Sequence, residues 1–157
     1  AAYGLCRPPG HHATTSLYGG YCFFNNAAIV AHHVASTTGV KVAVLDVDYH
    51  HGNGTQEIFY DRDDVMYVSL HGDLAVLAPA LERISGFGAQ FLVVSLGLDT
   101  FVTDPICDLS ITTDGFNRCG AAVAALGLPT VVLQEGGYDV ANLGINAQSW
   151  LTGLGAG

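Results

Sequence analysis

The stretch KVAVLDVDYHHGNGTQ, residues 41–56, runs from an apolar segment into a polar one. Residues 42–47 are rich in Val and Leu and apolar on both parities, which predicts a strand buried on both faces, as in a parallel sheet. Residues 65–70, 91–96 and 130–134 read the same way. Helical spacing lies between these runs. Ala27, Ala28, Ala31, Val34 and Ala35 share one face, as do Leu74, Leu77, Leu81 and Ile84, and then Phe116, Cys119, Val123 and Leu126. Pro79 requires the second of these helices to start after Leu74 or to kink, because proline deep in a helix removes a backbone hydrogen bond. Gly127 and Pro129 predict that the third stops after Leu126. Strand alternating with helix predicts an α/β fold: a parallel sheet with helices on both faces.

Composition narrows the function classes. The chain has 157 residues, half of them hydrophobic, with 14 acidic against 5 basic side chains and a formal charge of −9. Five bases are too few for a phosphate-tracking groove, so nucleic acid is not expected as a partner. No apolar stretch approaches the ~18 residues of a membrane span, so no membrane association is expected. Twenty glycines without a G-X-Y period punctuate turns rather than build a collagen helix. The only methionine is Met66 and no leader pattern opens the sequence, so we expect the chain to begin inside a longer protein. Cys6, Cys22, Cys107 and Cys119 form no C-x-x-C pair and read as reduced thiols of a cytoplasmic protein. Neither a repeat nor a linker indicates a second domain, and a homo-oligomer is compatible with this composition.

The chemistry gathers at strand ends. Asp46, Asp48 and His50 recur at alternate positions, which in an extended chain brings two carboxylates and an imidazole to one side. Neighbouring buried carboxylates are costly without a cation, and this oxygen and nitrogen donor set suits Zn²⁺ or Fe²⁺ better than Ca²⁺. The competing reading is that these residues merely cap the turn His51-Gly52-Asn53-Gly54. Residues 91–96 lead to Asp99, and residues 130–134 lead to Glu135-Gly136-Gly137-Tyr138, so three strands deliver polar groups to one rim. Asp48, His50 and Asp99 make a three-ligand set that leaves a position open, as catalytic zinc requires. His11 and His12 follow Arg7-Pro8-Pro9-Gly10, a stiff loop suited to a preorganised acid/base pair, whereas His32 and His33 lie in a helical pattern and read as exposed without a role.

The segments RPPGHHA (7–13), GGYCFFNNAA (19–28), LDVDYHHGNGTQ (45–56), SLGLDT (95–100) and EGGYD (135–139) together resemble the zinc-dependent histone deacetylase superfamily. The form of the third and fifth segments is most similar to the bacterial acetylpolyamine amidohydrolase and class II histone deacetylase-like branches. The resemblance covers nearly all of this chain and about half of a usual catalytic domain. It implies the arginase/deacetylase fold and hydrolysis of an N-acetyl amide on acetylated polyamines or acetyl-lysine. It also implies Zn²⁺ on Asp48, His50 and Asp99, with Fe²⁺ as the other metal to consider. His11 and His12 match the catalytic histidines, Asp46 and Asn53 their respective partners, and Tyr138 the carbonyl-polarising tyrosine. Gly20 and Tyr21 match the substrate-binding acceptor and tunnel wall. Asp46, Asp48, His50, Ser69 and Leu70 match a structural K⁺ site.

In these roles Zn²⁺ would supply Lewis acidity toward the amide and water, His12 would take the proton, Tyr138 would donate to the oxyanion, and His11 would face the leaving amine. Asp46 favours a cationic His11, whereas neutral Asn53 leaves His12 the better base. Two departures stand out. The early part of the usual domain is absent, and relatives carry a further segment, often glycine-rich and with a second tunnel wall, between the residues matching Asp73 and Leu74. We therefore expect residues 1–157 to be part of a single deacetylase catalytic domain with a segment missing at 73/74. Two other functions are compatible with parts of the pattern. An arginase-like ureohydrolase holds two manganese ions and needs a further carboxylate where this chain has Gly52; a decayed deacetylase copy would serve only as a binding module.

Overall fold

The computed structural model describes residues 1–155. Five strands, β1 (Ala2–Gly4), β2 (Val42–Asp46), β3 (Val65–Ser69), β4 (Phe91–Leu96) and β5 (Thr130–Gln134), form one parallel sheet in the order β1-β5-β4-β2-β3. Helices α1 (Asn26–Thr38), α2 (Asn53–Phe59), α3 (Leu77–Phe87), α4 (Thr113–Ala124) and α5 (Val140–Gly155) cover its two faces. Parity explains the layering. Val42 and Val44 point to the side where Ala27, Ala28, Ala31 and Ala35 of α1 and Phe59 of α2 pack. Ala43 and Leu45 point to the other side, against Ile84 of α3, Phe116 and Val123 of α4, and Trp150 of α5. Alanines on the buried face of α1 let that helix lie close to the sheet.

The four strands read from double-sided apolar runs are present, although β2 and β3 each end one residue earlier than expected, at Asp46 and Ser69. Three elements were not legible. β1 is three residues long; α2 is short and contains Gly54; α5 carries glycines and no clean apolar period. Pro79 is accommodated because α3 starts at Leu77, placing proline in the first turn, where its missing N–H costs nothing. A separate 3₁₀ turn, Leu74–Val76, precedes it, capped by the Asp73 side chain. α4 ends at Ala124 rather than Leu126, and the chain leaves through a turn in which Gly127 has φ +65°. α4 and α5 pack backbone to backbone: a Cβ at Gly120 would strike the Trp150 carbonyl, and one at Gly153 the Asn117 carbonyl.

The strand order places the site. From β2 the chain steps to β3 on one side and then returns to β4 on the other, so the topology reverses between β2 and β4. A crevice opens at the carboxyl ends of such strands. β2 leads to Asp46, Asp48 and His50, and β4 leads to Asp99. Among the described residues, no helix is long and apolar enough to cross a membrane, and all four cysteines are free.

Candidate metal centre and catalytic loop

Asp48, His50 and Asp99 each offer a ligand atom within 4.8 Å of the others. His50 Nδ1 lies 3.2 Å from Asp48 Oδ1 and 3.0 Å from Asp99 Oδ2. Both carboxylates are buried, at 1% and 0% exposure, so the protein has placed two acids side by side away from water. Their protonation reflects that crowding. Burial works to raise Asp48, but the hydrogen bond from His50 and the charge of His11 bring it down to about 2. Asp99 is pushed up to about 7, first by burial and then by the charge of Asp48. A divalent cation would relieve this conflict, and an imidazole nitrogen with two carboxylate oxygens is a donor set that holds Zn²⁺ or Fe²⁺.

The expectation that Asp46, Asp48 and His50 form one extended face needs correction. β2 ends at Asp46, and the chain bends through residues 48–50, which turns His50 toward Asp99. Asp46 stays outside the ligand cluster and serves His11 instead. Backbone donors hold the carboxylates: Gly136 N–H donates to Asp48 at 2.9 Å, and Tyr49 N–H to Asp99 at 3.1 Å. A Cβ at Gly136 would press on both carboxylates, and one at Gly97 on Asp48, so the strand ends close over the acids only because these positions are glycine.

The histidine pair sits on the irregular segment 5–13. His11 is buried, with Nδ1 3.0 Å from Asp46 Oδ2 and Nε2 3.9 Å from Asp48 Oδ1. Burial lowers its pKa, yet the hydrogen bond and charge of Asp46, with help from Asp48 and Glu135, lift it to about 9. His12 Nδ1 lies 2.7 Å from Asn53 Oδ1, at the start of α2. Its pKa is lowered by burial and then by the charge of His11. The two rings, 4.1 Å apart between centroids, are thus driven to opposite protonation states.

Gly20 and Tyr21 adopt φ values of +52° and +67°. A Cβ at Gly20 would collide with the His12 ring, and the Tyr21 ring lies 6.3 Å from that of Tyr138. Tyr138 is half-buried; burial, then the charges of Asp48 and Asp99, push its hydroxyl above the usual tyrosine range, so it stays protonated. Tyr21, Tyr138, Arg7, Pro9 and Glu135 line a cavity of about 610 Å³. Ser69 pairs with Asp46 in the β2–β3 register, and Leu70 N–H donates to the Asp46 carbonyl at 2.9 Å, so these three residues lie together. His32 and His33 are exposed on α1.

Three supporting residues escaped the sequence. Tyr67 donates to Asp46 Oδ2 at 2.8 Å and accepts from Gly52 N–H at 3.1 Å. Glu135 Oε2 accepts from the backbone N–H groups of Gly10 at 2.6 Å and His11 at 3.1 Å. Asp104 accepts from the Tyr138 and Asp139 N–H groups at 2.7 and 3.2 Å. Tyr67 reads as an ordinary strand residue and Asp104 as a turn former. Only Glu135, an acid ending an apolar strand, carried any signal.

Comparison with known proteins places this geometry. The profile described as "Histone deacetylase domain" matches residues 1–79 and 74–154. An acetylpolyamine amidohydrolase of Mycoplana ramosa is 42% identical over 192 residues, covering 98% of this chain and 56% of that protein. A histone deacetylase-like amidohydrolase of Pseudomonas aeruginosa is 35% identical over 186 residues, covering 89% of this chain and 48% of that protein. A crystal structure of acetylpolyamine aminohydrolase from Burkholderia pseudomallei superposes with a TM-score of 0.95 at 41% identity, covering 99% of this chain and 56% of that one. The chain therefore spans about half the length of the curated relatives it matches. The fold is the one seen in that crystal structure.

Proposed function

Because this chain belongs to the histone deacetylase domain family, we propose that the protein it comes from is a metal-dependent amidohydrolase that removes acetyl groups from acetylated polyamines or acetyl-lysine side chains. The observation that carries the reading is the convergence of Asp48, His50 and Asp99 within 4.8 Å beside a histidine pair of opposite protonation tendency. Zn²⁺, or Fe²⁺ in its place, would be held by these three side chains and would supply Lewis acidity toward the acetyl carbonyl and the attacking water.

The protein's own groups divide the remaining work. Neutral His12 accepts the proton of the attacking water, with Asn53 fixing its ring. Cationic His11, paired with Asp46, faces the developing charge and gives its proton to the leaving amine as the C–N bond breaks. Tyr138 keeps its proton and donates to the oxyanion. Gly20 and Tyr21 border the acyl chain, and K⁺ would be held by Asp46, Asp48, His50, Ser69 and Leu70. The binuclear-manganese alternative lacks space as well as a ligand, because a side chain at Gly52 would land on Asp46 Oδ2 and the Tyr67 hydroxyl.

The net charge of −9 favours a cationic substrate by long-range attraction. We also infer that the whole enzyme has a further segment at the Asp73–Leu74 junction. The match to the Mycoplana relative spans 192 residues, at least 35 more than this chain contains, and the two family-matched stretches overlap at residues 74–79. The outer edge of β3, the strand just before that junction, has no partner strand among the described residues. The decisive experiment measures acetate release by metal-loaded full-length protein from acetylputrescine and from an acetyl-lysine peptide. Turnover of either supports the reading and their ratio assigns the substrate; no turnover of either, with metal bound, overturns it.

A further inference from the structure

The histidine pair lies on a segment without secondary structure, yet the reaction proposed above requires both rings to be held to a fraction of an ångström. The carbonyl of His11 accepts from the N–H groups of Gly54 and Thr55, in the first turn of α2, at 3.1 and 3.2 Å. The peptide plane after His11 is thereby fixed from the α2 side. The plane before it faces the other way, toward the end of β5. There a single oxygen, Glu135 Oε2, receives both the Gly10 and the His11 N–H groups. Glu135 is 5% exposed, and its other oxygen makes no hydrogen bond among the described residues, so this carboxyl is committed to the two amides. Gly10 leaves no slack, since a Cβ there would meet the Asn26 nitrogen at 2.5 Å and the Phe24 carbonyl at 2.9 Å.

Glu135 is also three residues before Tyr138, on the strand end that carries it. We propose that Glu135 is a positioning residue that clamps the main chain of Gly10 and His11 to the end of β5, setting the histidine pair and Tyr138 in one frame. Its contribution is an acceptor oxygen at a fixed place and involves no proton transfer. This inference rests on the deacetylase reading only for its kinetic consequence, because the clamp itself can be observed without any turnover.

The test uses metal-loaded full-length protein with Glu135→Met, which keeps the length and removes the acceptor, and Glu135→Gln, whose amide oxygen can take the same two N–H groups. Hydrogen exchange at the Gly10 and His11 amides is protected in the parent protein and in Glu135→Gln, and at least tenfold faster in Glu135→Met. In parallel, kcat falls about a hundredfold in Glu135→Met with KM within about twofold and metal content unchanged, while Glu135→Gln stays within about threefold of the parent. Rescue by Gln separates a positioning acceptor from a required charge. Unprotected Gly10 and His11 amides in the parent, a Met variant with parental exchange and kcat, or a Gln variant as impaired as Met each overturn the proposal. Should the Met variant fail to fold, the parent's exchange and the Gln variant decide it. Were the parent to release no acetate, the deacetylase reading would fall while the exchange measurements still judged the clamp.

Discussion

The two halves of the site are built by different means. The candidate ligand set Asp48, His50 and Asp99 is delivered by the ends of two adjacent central strands whose register pairs Asp46 with Ser95, so the sheet itself brings the three groups together. The histidine pair stands on a loop and is placed by distant side chains and backbone: Asp46 and Asn53 on the rings, Glu135 and α2 on the main chain. A sheet-borne site should fail all at once when a ligand is lost, because the remaining buried acid loses its counter-charge. A loop-borne pair should lose rate by degrees as its tethers are changed one at a time.

The largest effect is expected at the sheet-borne half. Asp48→Ala should drop bound metal from one per chain to near zero by elemental analysis, with turnover at background; a variant that keeps its metal would show that the triad is not the centre. Tyr138→Phe should lower kcat about 10²- to 10³-fold, the usual effect of losing one oxyanion donor, with KM little changed. Gly20→Ala forces a methyl onto the His12 ring from an exposed loop, so kcat should fall about tenfold to a hundredfold while the melting temperature holds. A parental rate in that variant would mean the loop yields freely.

Smaller and more specific is the response to Asn53→Asp. His12 must be neutral to accept a proton, and a carboxylate 2.7 Å from its Nδ1 would favour the imidazolium. The pKa of His12 then rises, and the acidic limb of the kcat/KM profile should move about one unit to higher pH; an unmoved limb would remove Asn53 from this role. Tyr67→Phe is expected to have the mildest effect. It removes a donor to Asp46 and an acceptor for Gly52, costing about 1–2 kcal/mol. At this chain length that is a fall of roughly 3–6 °C in Tm, readable by calorimetry, with kcat reduced only modestly.

The same contrast explains how much the sequence disclosed. β2, β4 and β5 were legible because strands covered on both faces must be apolar at every position, and the polar residues that end them were conspicuous for that reason. His50 showed the limit of the argument: alternation within a strand counted it on the same face as Asp46, whereas a bend past the strand end aims it at Asp99. β1 and α2 were too short to carry a period, and α5 too rich in glycine. Glu135, Tyr67 and Asp104 were illegible in their roles because each is defined by a partner far along the chain, 124 residues away for Glu135 and His11. Residue type and local spacing hold no record of such pairs.

The account stands on one divalent ion held by three side chains at the β2–β4 switch point. Anomalous diffraction at the zinc and iron edges, from crystals of metal-loaded full-length protein, should give a single peak bonded to Asp48, His50 and Asp99. Two peaks a few ångströms apart, or one peak away from those residues, would contradict it.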